Sequence, residues 1–344
     1  MKIALVSSYA PFVLGGARNI VEWLVPHLEA AGHDVEIVYL PFVERSETMF
    51  SQFAAYRAID LTDTADVVIC FRVPAHFIRH PRKVLWFIHH IRTWYDLWDS
   101  EYRPWPRTAH NIALRNSLVL ADNKALAEAR TVFTNSQIVG ERLRQFNDVD
   151  SEVLYPPVAD PERFHDAGLG DTVVCLARLE SHKRQLLLVE ALGKTTTPVR
   201  LHIAGTGSST YADALRTTAK NLGITDRFTL ENRWITDEEK IETLATSLAV
   251  AYLPVDEDSY GYPSLEASHS GKALLTTTDS GGVLELVVDG VNGYVTEPTS
   301  EALASALDRL YEDRLTTARL GKAARARVFE LGITWETVVD RLLA

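Results

Sequence analysis

Two carboxylates, Asp258 and Glu266, lie in the stretch Val255-Asp-Glu-Asp-Ser-Tyr-Gly-Tyr-Pro-Ser-Leu-Glu-Ala267, where an apolar run gives way to a polar loop punctuated by Gly261 and Pro263. The preceding residues Leu248–Pro254 read as a buried strand, and Pro263 suits the first position of a helix, where its missing N–H costs nothing. Asp258 then falls in the loop and Glu266 in the first helical turn, beside backbone N–H groups that attract an anion. Carboxylates so placed accept hydrogen bonds from a polyol while the helix end holds phosphate nearby.

Cations follow the same logic. In Leu176-Ala-Arg-Leu-Glu-Ser-His-Lys-Arg-Gln185, Arg178 closes a strand and Lys183 begins the next helix. Converging on one sheet edge, they would neutralise a diphosphate and stabilise the negative charge that builds as it leaves. In isolation they would read as solvated surface charges; the carboxylate loop on the same edge argues for function.

Three further loops leave that edge. Gly205 and Gly207 in Gly205-Thr-Gly-Ser-Ser209 would bring backbone close to a phosphate, although a lone Gly-x-Gly carries little information. Arg233, Trp234 and Ile235 follow a strand and would hold a nucleobase by stacking and backbone hydrogen bonds; a loop packing its own Trp234 is the competing reading. Asp279-Ser-Gly-Gly-Val283, followed by Glu285, would offer amides to a pyrophosphate.

The first half of the chain carries its own candidates. Gly15 and Gly16 precede a helix, so backbone there can approach a phosphate or sugar, or simply turn. His89 and His90 end the apolar run Val84–Ile88, at the carboxyl edge that α/β sheets use for ligands, with Arg92, Tyr95 and Asp96 close behind. A satisfied structural histidine is the alternative at either position.

The elements that must position these residues alternate regularly. Strands are expected at 2–7, 35–40, 67–71, 83–88, 131–134 and 152–154, with helices at 17–31, 113–130 and 137–146. Leu154-Tyr-Pro-Pro-Val-Ala-Asp160 interrupts the series, and Asp171 starts a second one. Its strands are expected at 172–176, 200–204, 228–231, 248–253, 273–277 and 293–295, and its helices at 184–193, 212–223, 237–247, 265–270 and 301–310. The fold class is therefore α/β, with two doubly wound Rossmann-like domains, 1–157 and 158–330, facing a cleft. The amphipathic segment 331–344 is expected to cross back onto the first domain. No Gly-x-Gly-x-x-Gly fingerprint is present, which argues against a dinucleotide dehydrogenase.

Composition narrows the function classes. A net charge of −11 and a pI near 5.5 argue against nucleic acid as a partner. Cys70 and Cys175 each sit in an apolar strand-like run and read as core thiols, which favours a reducing cytoplasm. The start, Met1-Lys-Ile-Ala-Leu-Val-Ser-Ser8, reads as a first strand and not a signal peptide. Peripheral membrane contact stays open, because Lys83, Arg92, Arg103, Arg107 and Trp86, Trp94, Trp98, Trp105 crowd one region. Aromatics packing under a loop is the plainer account.

Taken together these residues resemble the retaining glycosyltransferases of the GT-B fold, specifically glycosyltransferase family 4. The Glu-x7-Glu pattern of that family is similar to Asp258-Ser-Tyr-Gly-Tyr-Pro-Ser-Leu-Glu266, and an Arg-Leu…Lys segment precedes it while Ser280-Gly-Gly and Asp289-Gly-Val-Asn-Gly293 follow. The resemblance implies that Glu266 binds the ribose of a nucleotide diphosphate sugar and that Arg178 and Lys183 bind its diphosphate. It implies that Asp258 and the chain after it, Ser259, Tyr260, Gly261, Tyr262 and Pro263, hold the donor sugar. Gly15 and Gly16 are implied to lie near phosphate and acceptor, and His89 is implied to bond the donor sugar near the reacting centre, with His90 second choice.

One departure is plain: Asp258 stands where the family typically has Glu, shortening the reach by one methylene, so donor identity does not carry over. Asp256-Glu-Asp258 also mimics the Asp-x-Asp metal motif of the other major glycosyltransferase fold. The Arg178/Lys183 pair does a metal's work, so neither metal nor cofactor is expected. The expected partners are a nucleotide sugar donor and a glycan, lipid-linked or small-molecule acceptor, the latter met around Arg92 to Arg107 with His90, Arg92 and Tyr95. The competing functions are a GT-B-like nucleotide-sugar epimerase and a non-catalytic nucleotide-sugar-binding protein.

Overall fold

The structure, a computed structural model, describes residues 1–9, 16–100 and 103–344. The expected contact at Gly15 lies outside the described residues. The chain divides into two compact units: unit 1 is Met1–Pro157 with Ile333–Ala344, and unit 2 is Val158–Gly332.

Unit 1 is built on a parallel sheet of β1 (Lys2–Tyr9), β2 (Asp34–Pro41), β3 (Val67–Cys70), β4 (Lys83–Phe87), β5 (Thr131–Thr134) and β6 (Glu152–Val153), in the order β2-β1-β3-β4-β5-β6. β3 and β4 are buried along their whole length, as strands covered on both faces must be. Helices α1 (Gly16–Ala30), α2 (Met49–Arg57), α3 (Ala109–Leu126) and α4 (Gln137–Asn147) connect them. Thr108 and Ser136 cap α3 and α4 by accepting from the amides of Asn111 and Val139.

Unit 2 repeats the layout with β7 (Thr172–Leu176), β8 (Arg200–Ala204), β9 (Phe228–Glu231), β10 (Ala249–Ala251), β11 (Ala273–Thr277) and β12 (Gly293–Thr296). These strands are also parallel, in the order β12-β11-β10-β7-β8-β9. Its helices are α5 (Gln185–Leu192), α6 (Ser209–Asn221), α7 (Asp237–Ala245), α8 (Tyr262–His269), α9 (Val283–Leu286), α10 (Ser300–Glu312) and α11 (Arg314–Glu330). Read outward from β7, this is the dinucleotide-type Rossmann order, with strand order reversing between β7 and β10.

The last helix, α12 (Trp335–Leu343), belongs to unit 1. Its buried Trp335 stacks on His27 of α1 at 4.7 Å between ring centroids, and Arg341 pairs with Glu152 and lies over the Phe133 ring. Both cysteines are free and buried, and burial pushes each thiol up to about 12. No helix among the described residues is long and apolar enough to cross a membrane.

α11 is absent from the expected elements for a physical reason. Its buried positions are Thr317, Leu320, Gly321, Ala324 and Val328, helically spaced but mostly small. Small residues let it approach closely: a Cβ on Gly321 would lie 2.0 Å from the Gly271 carbonyl oxygen. Hydrophobic periodicity hardly registers such a face.

Candidate functional site

In open α/β sheets, ligands bind beyond the carboxyl ends of the strands where strand order reverses. In unit 2 that point lies between β7 and β10. The loop after β7 carries Arg178 and Lys183, and the loop after β10 carries Glu257 and Asp258 before opening α8, which holds Glu266.

Three loops are sewn together here. Arg184, at φ 54°, makes a bidentate pair with Asp279 at 2.6 and 2.5 Å and reaches Thr277 Oγ1 at 3.1 Å. The Arg184 guanidinium holds the Asp279 carboxyl below its usual range. The Val255 amide donates to the His182 carbonyl at 2.9 Å, the Asp256 amide to the Asp279 carbonyl at 2.9 Å, and the Gly282 amide to the Glu257 carbonyl at 2.8 Å. Gly281 sits at φ 63°, where a Cβ would lie 2.5 Å from the Glu257 carbonyl oxygen. We therefore expect Gly281→Ala to destabilise unit 2 by about 2 kcal/mol or more, from left-handed strain plus backbone collision. A lower melting temperature would register it; an unchanged melt would contradict the packing described.

Lys183 ends the single turn Ser181–Lys183 and is 7% exposed. Its ammonium donates to the Tyr252 hydroxyl at 2.8 Å and is ion-paired with Glu257, whose carboxylate also accepts from that hydroxyl at 3.0 Å. Burial pushes the Glu257 carboxyl up, but the Lys183 ammonium outweighs it and holds the group below its ordinary value. Burial and the adjacent carboxylate both drive the Tyr252 phenol well up. Gly261, at φ 70°, makes room for that tyrosine, since a Cβ there would lie 2.3 Å from the ring. Arg178, by contrast, has a side chain 61% exposed and pairs with Glu180 at 2.9 Å. The two cations thus occupy the same edge in different states, one open and one buried and already neutralised.

Glu266 departs from its expected setting. α8 begins at Tyr262, one residue before the Pro263 start, so Glu266 is its fifth residue and lies in the second turn. The amides of Ser264 and Leu265 both donate to the Gly261 carbonyl, at 3.1 and 3.3 Å, and Pro263 has none to give. Glu266 is buried and accepts from Lys240 Nζ at 2.7 Å, and Lys240 also meets Asp237 at 3.1 Å. Burial pushes the Glu266 carboxyl up against the opposing pull of Lys240; burial pushes the Lys240 ammonium down, but the carboxylates of Glu266 and Asp237 together outweigh it and hold that group above its usual value.

Lys240 arrives there because α7 is firmly started. Thr236 and Glu239 form a reciprocal capping box, and Arg233 bonds both Glu231 and Glu239. Arg233 and the Thr236 amide lower the Glu239 carboxyl to about 2. Arg233 is thereby committed to carboxylates, and its guanidinium also donates to the Trp234 carbonyl at 3.2 Å. Trp234 is 65% exposed, so the loop does not pack its own tryptophan; the ring and the neighbouring half-buried Ile235 stand at the surface.

Several sequence expectations are corrected. The Gly205 amide donates to the Glu231 carbonyl at 3.1 Å and the Gly207 amide to Asn232 Oδ1 at 3.0 Å, so both are spent inside the protein. Side chains there would collide with Ala177 and Leu179, which is why glycine is required. The Gly282 amide is likewise spent on Glu257 and the Ser280 amide on Thr277, so this loop offers a pyrophosphate less than expected. Tyr260 is 1% exposed, which turns its ring into the core and leaves only its backbone to meet a ligand. Asp258, Ser259, Tyr262 and Pro263 are half-buried on the loop and at the helix start.

In unit 1, His90 and Tyr95 are each 2% exposed and cannot touch an acceptor. They belong to a buried polar network: His90 Nε2 meets Asn147 Oδ1 at 2.8 Å, and Tyr95 bonds Asp122, which also meets His76 at 2.9 Å. Burial pushes the His90 imidazole down to about 4. His89 is half-buried, and its Nδ1 donates to the His90 carbonyl at 2.6 Å, leaving Nε2 as the acceptor of the neutral ring. Arg92 bonds Asp96 at 2.7 Å, at the edge of this network. Gly16 is the first residue of α1. The crowded tryptophans are structural: Trp86, Trp94 and Trp98 are buried, and Lys83 donates inward to the His76 and Ala125 carbonyls.

Glu257, Tyr252 and Lys240 are the site residues that sequence reasoning passed over. Glu257 reads as the middle of an acidic triplet and Lys240 carries no motif; only the Lys183 and Glu266 side chains they meet reveal them. Among the described residues, no three His, Cys, Asp or Glu side chains gather as a metal site would.

Residues 167–327 match the family model "Glycosyl transferases group 1". Alpha-maltose-1-phosphate synthase of Mycobacterium tuberculosis is 25% identical, over 100% of this chain and 98% of its own. The GDP-mannose-dependent alpha-(1-6)-phosphatidylinositol monomannoside mannosyltransferase of Mycolicibacterium smegmatis is 31% identical over 49% of this chain and 50% of its own. Among solved structures, HepE of Anabaena in complex with UDP superposes with a TM-score of 0.72 at 18% identity, covering 100% of this chain and 98% of that one. The fold is GT-B, and the matches support a glycosyltransferase with a group 1 domain in unit 2.

Proposed function

We propose that the chain is a retaining, metal-independent glycosyltransferase of family 4 that moves a hexose from a nucleotide diphosphate sugar to an acceptor hydroxyl. The observation that carries this is the placement of Arg178 and Lys183 in the loop after β7 and of Glu266 on the helix after β10, at the strand-order reversal of unit 2. A relative named for GDP-mannose and a neighbour holding UDP support a nucleotide diphosphate donor.

In this reading Glu266 accepts from the ribose hydroxyls, and the Lys240 ammonium holds its carboxylate in place. Arg178 and Lys183 hold the diphosphate and stabilise the charge that accumulates on it as the glycosidic bond breaks. That is the electrostatic work a divalent cation does elsewhere, which is the ground for metal independence. Trp234 offers an exposed ring for a base. Asp258 and the backbone of Ser259 to Gly261 hold sugar hydroxyls. Unit 1 takes the acceptor. As the resemblance to retaining glycosyltransferases implies, the leaving phosphate itself accepts the acceptor proton in a front-face displacement.

The test is a proton NMR time course with UDP- and GDP-hexoses and a panel of glycan, lipid-linked and small-molecule acceptors, with and without chelator. Chelator-insensitive transfer giving an axial product from an axial donor is expected. An inverted product, or activity abolished by chelator and restored by metal, would overturn the corresponding part. Epimerised donor without acceptor would point instead to an epimerase. Asp258→Glu restores the family's usual reach and is expected to shift relative kcat/KM between donor hexoses by about tenfold, the size of one gained or lost hydrogen bond. An unchanged donor ranking would remove Asp258 as the selector.

A further inference from the structure

The cations of the unit 2 edge are paired within the protein: Arg178 with Glu180, Arg184 with Asp279, Arg233 with Glu231 and Glu239, Lys240 with Glu266, and Lys183 with Glu257. Lys183 differs from the rest in burial. A buried ammonium is strongly destabilised without a counter-charge, so something anionic must accompany it at all times. Glu257 fills that place, and Tyr252 bridges the two with 2.8 and 3.0 Å hydrogen bonds.

The Glu257 backbone is fixed while its side chain is not enclosed. Its amide and carbonyl are bonded to Ser280 and Gly282, and Asp256 before it turns at φ 44°. The Glu257 side chain remains 27% accessible, against 8% for that of Lys183. An incoming anion therefore reaches this edge where a tethered one already sits.

Resting on the diphosphate role of Lys183 given above, we propose that Glu257 is a placeholder for the donor diphosphate. It neutralises Lys183 in the empty site, and the diphosphate takes over that ammonium when the donor binds. Glu257 then sets donor affinity: its charge competes with the phosphates for Lys183 and repels them at short range, while keeping the empty site stable. It also biases the site toward ligands with enough negative charge to displace a carboxylate, so nucleosides gain nothing from Lys183.

Glu257→Gln tests this by calorimetric titration of the full chain with UDP and GDP, each beside its nucleoside. The variant is expected to bind the better of the two diphosphates about tenfold more tightly than the parent, the scale of one partly screened charge contact, with nucleoside affinity unchanged. In a Lys183→Met background the gain is expected to shrink to the part that comes from relieved repulsion, and an undiminished gain would count against the placeholder role. Diphosphate affinity that is unchanged or weaker in Glu257→Gln, or an equal gain for the nucleoside, would overturn the placeholder role. The underlying site reading fails separately, if Lys183→Met alone binds both diphosphates as well as the parent does. Glu257→Asp keeps the charge but withdraws it by one methylene; a smaller gain of the same sign is expected there, and no gain would count against the proposal. That variant carries the test if the glutamine one does not fold.

Discussion

Lys183→Met is expected to lower turnover by about 10²–10³, the usual cost of removing one preorganised charge from a transition state. The effect should fall on kcat as well as kcat/KM, because negative charge on the departing diphosphate is greatest as the bond breaks. Lys183 is buried against Tyr252 and Glu257, so methionine conserves most of the packing while removing the charge. Stability should drop only modestly, since Glu257 keeps the Tyr252 hydroxyl and partial access to water. Steady-state kinetics alongside a thermal melt separates the two effects. Full turnover in a folded Lys183→Met protein would remove this residue from the diphosphate site.

Glu266→Gln is expected to raise the donor KM by about 10- to 100-fold with a smaller change in kcat, since a charged hydrogen bond to ribose contributes about 1.5–3 kcal/mol in ground and transition states alike. Glutamine keeps the shape of the buried side chain and an oxygen that can accept from Lys240 but removes the charge, so that Asp237 is left as the counter-charge of Lys240 and the tie between α7 and α8 is weakened. A donor KM within twofold of the parent, in a variant that melts normally, would show that Glu266 does not hold the ribose. A fall confined to kcat would place Glu266 nearer the reacting bond than the ribose.

The alternation of apolar runs and punctuated loops made both Rossmann-like series legible, because parallel strands buried on both faces leave nearly continuous apolar segments such as Val84 to Ile88 and Ala273 to Thr277. α11 escaped because its buried face is built from Thr317, Gly321 and Ala324, where close approach replaces hydrophobic bulk. At the site, residue types were legible and partnerships were not. Lys183 stood out as a cation between strand and helix, yet its counter-charge is Glu257, more than seventy residues away in sequence. Gly205 and Gly207 were read as openings for phosphate and prove to be openings for residues 177–179 of the same protein. A sequence shows that a backbone must pass close to something, not what it passes. His90 and Tyr95 fit an acceptor face by composition, and the structure spends them in a buried network through Asn147 and Asp122.

The central claim is that the edge between β7 and β10 holds a nucleotide diphosphate sugar. A crystal structure of the protein with UDP or GDP, whichever binds more tightly, tests it most directly. The account predicts the diphosphate within hydrogen-bond distance of Lys183 Nζ and Arg178, and the ribose hydroxyls on Glu266. A nucleotide bound elsewhere, or on this edge with its ribose away from Glu266 and its phosphates away from Lys183, would contradict it.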